Sequence, residues 1–380
     1  MICGWRAVAK YNDGDFKLHW EFGRRFLAGE FLYRGGHHLP YQPFWAMAHA
    51  PVALLPLPLA KALLFPLGVA ALGALLFVLR RLATAAFDLN ATQAFWTGAL
   101  AVLLASRYIV RDMAEVGVNT ALVLLTWTAI YLWRQEREAL AATSLGAAIA
   151  LKCTPAIFAA FFLWKRQWRM AGLTAFAAAC FTLAPVLWQG PSGYAEHMRT
   201  WLANAWQATG THDPSATLLG ADPVRNMSLG AALGGGWLTH ASPAVRLAAA
   251  KLTAVLLVVA LLWWSRRPPT SRDDPRLLWE FSAVGIVMLL LSPITWGQHC
   301  VALLPACYFI SALFVTMRRF ARRVWALLGA YVFFVLVLSR DLVGREAALV
   351  LARYHVETFA ILALLAVVAR CRRFHEQRLV

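Results

Sequence analysis

The first forty residues are dense in side chains that bind sugars and phosphates, and an acidic pair stands among them. Asp13-Gly14-Asp15-Phe16 places two carboxylates two residues apart. Three interpretations stay open on these residues alone. The pair can hold Mg²⁺ or Mn²⁺ on a sugar diphosphate, Asp15 can act as a lone general base, or an aspartate can cap a helix that begins near Phe16.

Further polar residues recur at the ends of apolar segments. They form three groups: Arg107, Arg111, Asp112, Glu115, Gly117 and Asn119; Arg225, Asn226, Met227 and Ser228; and the run from Ser292 to His299. Ionisable groups at membrane depth are costly and tend to mark function, so groups on one face predict a cleft there. Lys152 either joins this cleft or extends its ammonium toward water from a short helix.

The elements that position these groups are predicted to be membrane helices. The chain has 380 residues, of which 60% are hydrophobic and 14% charged. A soluble chain is about half apolar and about a quarter charged, so a soluble globular protein is excluded. Apolar segments of spanning length lie at residues 60–80, 90–106, 114–133, 170–188, 243–264, 277–296, 298–317, 324–340 and 355–370.

Two other apolar segments contain helix breakers. Segment 44–59 holds Pro51, Pro56 and Pro58, and segment 140–164 holds Lys152 and Pro155. Membranes tolerate such breaks where the backbone is buried in protein or lines a cavity. We therefore predict an all-α polytopic membrane protein with about nine to eleven transmembrane or re-entrant helices.

The net charge of +17 indicates topology rather than nucleic-acid binding. About half of the Lys and Arg residues fall in six short groups between apolar segments: Arg80/Arg81, Arg134/Arg137, Lys165/Arg166/Arg169, Arg266/Arg267/Arg272/Arg276, Arg318/Arg319/Arg322/Arg323 and Arg370/Arg372/Arg373/Arg378. Basic loops stay cytoplasmic. This rule predicts a cytoplasmic C-terminus and places loops 1–43, 107–119 and 189–242 on the extracytoplasmic side. No apolar helix precedes loop 1–43 to translocate it, so we expect a truncated start, with residues 2–9 as the tail of a first helix.

Several short motifs occur in a characteristic order. They are Asp15-Phe16, Leu27-Ala28-Gly29, Tyr41-Gln42-Pro43, the run from Pro51 to Pro56, Gly117-Val118-Asn119, Leu151-Lys152-Cys153-Thr154-Pro155, Asn226-Met227-Ser228-Leu229 and the run from Leu291 to His299. Together they resemble glycosyltransferase family 87, the polyprenyl-phosphate-dependent mannosyltransferases of the C-type superfamily. The sequence departs from that family at Val118, where Gln is common, and at Gln298, where His is common.

The resemblance implies the C-type glycosyltransferase fold in a single integral membrane catalytic domain, 1–380. Loop 1–43, helices 44–188, loop 189–242 and helices 243–380 would follow one another, with the active-site loops extracytoplasmic. The implied reaction is an inverting transfer of a hexose, chiefly mannose, from a polyprenyl monophosphate sugar to a hydroxyl of a lipid or glycan acceptor. We expect a multi-pass protein of the inner or plasma membrane, in contact with membrane lipids and with no nucleic-acid partner.

The resemblance also assigns roles to residues. Asp15 matches the catalytic base, and His299 is the first candidate for stabilising the leaving phosphate. The residues expected to bind substrate are Tyr41, Asn119, Lys152, Arg225, Asn226, Ser228 and Trp296. A monophosphate sugar donor carries less charge than a diphosphate, so we favour a lone base at Asp15 over a metal held by Asp13 and Asp15, and expect no cofactor.

Two other classes of protein compete with this interpretation. A secondary transporter also uses broken helices, but it predicts polar residues at mid-membrane and a repeat relating the two halves, and we find no such repeat in the sequence. The second competitor is a membrane protein that binds or assembles lipids without catalysis. Neither the oligomeric state nor the sugar is indicated by any residue pattern.

Overall fold

The computed structural model describes residues 15–34, 41–211, 222–317 and 321–378. Within these ranges every regular element is a helix. The α-helices are α1 Asp15–Leu27, α2 Pro43–Ala53, α3 Leu57–Phe87, α4 Ala91–Met113, α5 Val118–Arg134, α6 Glu138–Leu151, α7 Ala156–Trp164, α8 Trp168–Leu183, α9 Val186–Trp206, α10 Leu229–Ala231, α11 Pro243–Trp264, α12 Arg276–Leu291, α13 Leu304–Thr316, α14 Arg322–Val332, α15 Arg340–Val343, α16 Arg345–Arg353 and α17 Val356–Arg378. The all-α prediction is confirmed for the described residues.

Four helical segments are long and apolar enough to cross a membrane. They are α3, α4, α11 and the segment His299–Thr316, and bent pairs of helices raise the number to six among the described residues. Apolar side chains are exposed on two of these helices, with Leu67 62% exposed on α3 and Trp263 65% exposed on α11, whereas the segment His299–Thr316 is largely buried. These helices indicate a membrane-embedded protein. The larger number of nine to eleven helices stays a prediction, because several apolar segments are divided into shorter helices.

Residue contacts divide the chain into two compact units. The first comprises Met1–Val78 and Val110–Thr211, and the second comprises Leu79–Ile109 and His212–Val380. The assignment of 1–380 to one catalytic domain stays a prediction.

In the first unit, α1 packs its apolar face on α2. Phe16 and Phe22 are buried at helical spacing, as expected of an amphipathic helix. Gly23 permits the close approach of the two helices, since a Cβ there would lie 2.7 Å from the carbonyl oxygen of His49. This contact fixes the position of Asp15, the first residue of α1.

Two breaks interrupt apolar sequence in the first unit. Lys152 and Pro155 lie between α6 and α7, and Pro56 lies between α2 and α3. The break predicted in segment 140–164 is thus present. In segment 44–59 only Pro56 is in a break, because Pro51 lies within α2 and Pro58 lies in the first turn of α3, where a missing N–H costs little.

In the second unit, α12 is the central helix and nearly all its side chains are buried. Glu280 of α12 forms a buried ion pair with Arg372 of α17, with 3.1 Å between Nη1 and Oε1. The Arg372 guanidinium also donates to the carbonyl oxygen of Trp264. Buried charges are tolerated when paired and hydrogen-bonded. Arg372 belongs to one of the six basic groups, so the members of those groups are not all solvated.

The predicted long loop 189–242 is partly helical. Helix α9 continues to Trp206, and it bends by 89° from α8. Gly190, with φ 70°, marks a kink within α9. A search for continuous apolar runs does not find this helix, because polar residues interrupt it at buried positions, such as His197 and Asn204, as well as at exposed ones.

Candidate active site

A strained turn joins α4 to α5 and brings polar residues together. The carbonyl oxygen of Asp112 accepts hydrogen bonds from the amides of Glu115 and Gly117, both at 2.9 Å. Val116 and Gly117 have φ values of 60° and 77°. Positive φ is rare for a β-branched residue, and such strain concentrates at functional sites. The turn therefore marks this part of the first unit as a candidate site.

Glycine at position 117 is required by packing as well as by φ. A Cβ on Gly117 would lie 2.8 Å from the Cα of Gly68 on α3, and a Cβ on Gly68 would lie 2.5 Å from the carbonyl oxygen of Val116. The two backbones are therefore in direct contact. This contact holds the turn, and the residues that follow it, against α3.

The buried carboxylate of Asp112 organises the start of α5. Its Oδ1 accepts from the amide nitrogen and the Nδ2 of Asn119, at 3.2 and 2.9 Å. Its Oδ2 accepts from the amide nitrogen and the hydroxyl of Thr120, at 2.8 and 2.7 Å. The first amides of a helix have no partner within the helix, and here a carboxylate from the preceding helix supplies one.

Lys152 brings a cation to the same place. Its Nζ donates to Oδ1 of Asn119 at 3.4 Å and lies 5.8 Å from the centroid of the Tyr41 ring. Burial lowers the pKa of Lys152 to about 8, while the charges of Cys153, Asp15 and Asp112 act to raise it. An ammonium has three N–H donors, and within the described residues Lys152 uses only one in a protein hydrogen bond. The others can reach an anionic ligand.

Tyr41 is held between aromatic groups beside Lys152. Its ring stacks on Trp45 at 4.2 Å and meets the edge of His19 at 5.0 Å. Burial raises the pKa of Tyr41 well above its ordinary value, and the charges of Asp15 and Asp112 raise it further. The Tyr41 hydroxyl therefore stays protonated and can donate a hydrogen bond.

The neighbour of Tyr41 attaches this segment to α6. The Nε2 of Gln42 donates to the carbonyl oxygen of Ile149 at 3.2 Å, and its Oε1 accepts from the hydroxyl of Thr182 at 3.3 Å. Because Ile149 lies in the last turn of α6, the same contact positions Tyr41 close to Lys152.

Asp15 is at the start of α1, next to Phe16, which packs with Val116 of the strained turn. Its carboxylate acts electrostatically on both Tyr41 and Lys152. Four residues predicted from the sequence thus share one site, and Asp112 joins them. We call this set the lysine cluster: Asp15, Tyr41, Asp112, Asn119 and Lys152. Asp13 lies outside the described residues, so the acidic pair is not described as a unit.

A second set of predicted residues lies in the second unit. Oδ1 of Asn226 accepts from the amides of Ser228 and Thr295, at 3.0 and 2.9 Å, and its Nδ2 donates to the carbonyl oxygen of Pro293 at 2.7 Å. Nδ1 of His355 lies 3.1 Å from the carbonyl oxygen of Asn226. We call Asn226, Ser228, Thr295 and His355 the asparagine cluster. It joins three separate chain segments.

The remaining predicted residues also lie in the second unit. Ser228 caps α10 by accepting from the amide of Ala231 at 3.2 Å. The Trp296 amide donates to Nδ1 of His299 at 3.2 Å, and their rings are near-parallel at 6.2 Å. Arg225 is exposed. The roles predicted for these residues stay predictions.

Sequence reasoning underrated several groups. Asp112 lies within α4 and several positions before α5, not at the N-cap of α5, so the local capping rule gives no sign of its role. Gln42 stands out only as part of a family motif and His355 not at all, because their hydrogen-bond partners are distant in sequence. In the described part of the chain, no group of three or more His, Cys, Asp or Glu residues is arranged to hold a metal ion.

The decisive comparison is with known protein families. The family model described as glycosyltransferase family 87 matches residues 39–293, about two thirds of the chain. The chain belongs to glycosyltransferase family 87. The family resemblance inferred from the motifs is thereby confirmed. No curated protein and no solved structure matches the chain significantly.

The region matched to family 87 includes most of the lysine cluster. Tyr41, Asp112, Asn119 and Lys152 lie inside residues 39–293, and so does Asn226. The lysine cluster and the asparagine cluster therefore both have members in the family 87 region, while Thr295 and His355 lie after it. Arg225 and Ser228 also lie inside the matched region, whereas Asp15 lies before it and Trp296 and His299 lie after it.

Proposed function

We propose that this protein transfers a hexose, most often mannose, from a polyprenyl monophosphate sugar to a hydroxyl of a lipid or glycan acceptor. Membership of family 87 supports sugar transfer, and the apolar helices support work on lipid substrates in a membrane. The observation that carries the proposal is the lysine cluster, in which a carboxylate and an ammonium with spare N–H donors share one site.

In the proposed reaction Asp15 is the general base. A hydroxyl is a weak nucleophile, so a carboxylate within hydrogen-bond reach takes its proton as the oxygen attacks the anomeric carbon. The bond from that carbon to the phosphate oxygen breaks on the opposite side, and polyprenyl phosphate leaves. A single displacement of this kind inverts the anomeric configuration.

Lys152 is proposed to bind the phosphate of the sugar donor. Its ammonium is charged and has N–H groups that are not used within the described protein, and charge-assisted hydrogen bonds to phosphate are strong. Tyr41 can donate a further hydrogen bond to an anionic or sugar oxygen. His299, followed by Arg225, stays the candidate from the family resemblance for stabilising the leaving group.

The charge of the sugar donor also affects whether the reaction needs a metal ion. A monophosphate diester has one negative charge, which a single ammonium can balance, so the proposed reaction uses Asp15 alone and no bound metal. A divalent cation at Asp13 and Asp15 is the competing arrangement. The basic groups between apolar segments support an extracytoplasmic site in the inner or plasma membrane, with a cytoplasmic C-terminus.

Transfer of radiolabelled mannose from polyprenyl-phosphate-mannose to a lipid acceptor, by purified protein in lipid vesicles, tests the proposal. We expect Asp15→Asn to lower kcat by about 10²–10⁴ and Asp13→Asn to leave it within about threefold of wild type. Comparable losses from both variants, restored by Mn²⁺, would establish the metal arrangement instead. Uptake of labelled substrate without transfer would indicate a transporter, and binding without turnover a lipid-binding protein.

A further inference from the structure

Asp112 is a buried carboxylate that the proposed reaction does not use directly. It is fully buried, and four hydrogen bonds from two neighbouring residues offset the cost of that burial. Capping α5 requires only the two bonds to backbone amides. The bonds to the Asn119 amide and the Thr120 hydroxyl therefore require another explanation.

The side-chain bond to Asn119 fixes which way its amide points. A carboxylate accepts hydrogen bonds and cannot donate them, so the Asn119 nitrogen faces Asp112 at 2.9 Å. The amide oxygen is thereby turned to the other side, where it accepts from Nζ of Lys152 at 3.4 Å. Thr120, by contrast, donates its hydroxyl to Asp112 at 2.7 Å. Among the described residues, Lys152 donates no hydrogen bond to Thr120.

We propose that Asp112 is a positioning residue that holds the Lys152 ammonium, through Asn119, where it binds the phosphate of the lipid-linked sugar donor. This inference rests on the proposed function. A lysine side chain has four rotatable bonds and loses much conformational freedom when it is fixed. Asn119, itself held by Asp112, limits the places that the ammonium occupies before the sugar donor arrives, which lowers the entropic cost of binding.

The pair Asn119→Ala and Thr120→Val separates this role from a structural one. Each variant removes one side-chain hydrogen bond to Asp112 and keeps both backbone caps, but only Asn119→Ala cuts the connection to Lys152. With the full chain and polyprenyl-phosphate-mannose, we expect Asn119→Ala to raise the KM for the sugar donor about tenfold, the order for one hydrogen bond to a charged group. Thr120→Val should lower the melting temperature and leave that KM unchanged.

A double-mutant cycle tests whether the effect acts through Lys152. Asn119→Ala added to Lys152→Met should raise the KM for the sugar donor no further than Lys152→Met alone, because the ammonium that Asn119 positions is absent. Asp112→Asn should match Asn119→Ala in the KM for the sugar donor, and if it does not fold, the Asn119 and Thr120 pair decides. The KM for the acceptor should stay constant in both variants of that pair.

The outcomes distinguish failure of the inference from failure of the proposed function. Equal KM changes in Asn119→Ala and Thr120→Val, or additive changes in the double mutant, would overturn the positioning role while transfer by the wild type still supports the function. A wild-type protein that neither binds polyprenyl phosphate in a direct binding measurement nor transfers mannose would overturn the proposed function and the inference with it.

Discussion

The lysine cluster and the asparagine cluster are both built from polar side chains within apolar sequence, yet they use those groups differently. In the lysine cluster the bonds lead from Asp112 through Asn119 to an ammonium with further N–H donors. In the asparagine cluster the amide of Asn226 bonds only to backbone groups among the described residues. The first arrangement can bind a ligand, and the second fastens chain segments to one another.

The contrast shows that a motif can be characteristic of a family for two physical reasons. The motifs Gly117-Val118-Asn119 and Asn226-Met227-Ser228 each contain an asparagine near the end of an apolar segment. Asn119 contacts a charged side chain, whereas Asn226 satisfies buried amides that would otherwise cost free energy. Substitution in the first cluster should therefore change substrate affinity, and substitution in the second should change stability.

The largest effect on the KM for the sugar donor is expected from removing the cation of the lysine cluster. Lys152→Met keeps the length of the side chain and deletes the charge, so the phosphate of the sugar donor loses a charge-assisted hydrogen bond. We expect the KM for the sugar donor to rise about thirtyfold to hundredfold, with little change in the melting temperature in detergent. Steady-state transfer at varied concentrations of the sugar donor measures it.

Lys17→Met is the matched control for that variant. Lys17 lies on α1 in the same unit, and its exposed ammonium pairs with Glu21 on the helix surface at 3.7 Å. Surface ion pairs of this kind contribute little to stability, so Lys17→Met should fold like the wild type. Because Lys17 is not part of the lysine cluster, the KM for the sugar donor should stay at the wild-type value. An equal rise in both variants would mean that general charge, rather than the lysine cluster, attracts the lipid phosphate.

An intermediate effect on stability is expected in the asparagine cluster. Asn226→Ala leaves the amides of Ser228 and Thr295 and the carbonyl oxygen of Pro293 without their partner. Each such loss costs about 1 kcal/mol or more, so we expect at least about 3 kcal/mol of destabilisation from the three lost partners. Thermal melting in detergent measures this effect, and the protein that stays folded should keep the KM of the wild type for the sugar donor.

Asn90→Ala is the comparison for Asn226→Ala. Asn90 is exposed and its Oδ1 caps α4 through a single bond to the amide of Gln93 at 2.9 Å. Loss of a cap costs about 1 kcal/mol, so the melting temperature should fall by less than in Asn226→Ala. If Asn226→Ala raised the KM for the sugar donor and left stability unchanged, Asn226 would bind substrate. That result would contradict its role in holding chain segments together.

The smallest effect concerns pH. Burial lowers the pKa of Lys152 to about 8, so its ammonium is charged below that pH and loses its proton above it. The kcat/KM for the sugar donor should be level well below pH 8, about half its plateau value at pH 8, and about one tenth of the plateau at pH 9. Lys152→Arg, whose side chain stays charged throughout, should keep a level profile over this range, and the same fall in that variant would assign the titration to another group.

The sequence determined the class of the protein and the family, because both depend on local and additive features. Apolar composition predicts membrane helices whatever their arrangement, and Lys152 and Pro155 mark a break because proline disfavours helix in the residues before it. Motif order was sufficient for the family, which the match over residues 39–293 confirmed. The motifs that carry the family resemblance also supplied Asp15, Tyr41, Asn119 and Lys152 as candidate site residues.

Only the tertiary structure decided which candidates share a site and what each contacts. Asp112 and Lys152 are 40 positions apart, and the connection through Asn119 forms only when α5 and α6 fold back on each other. Helix α9 likewise is not predicted from apolar runs, because polar residues interrupt its sequence. Hydrogen bonds between distant residues depend on distances of about 3 Å, and these are fixed by packing rather than by composition or periodicity.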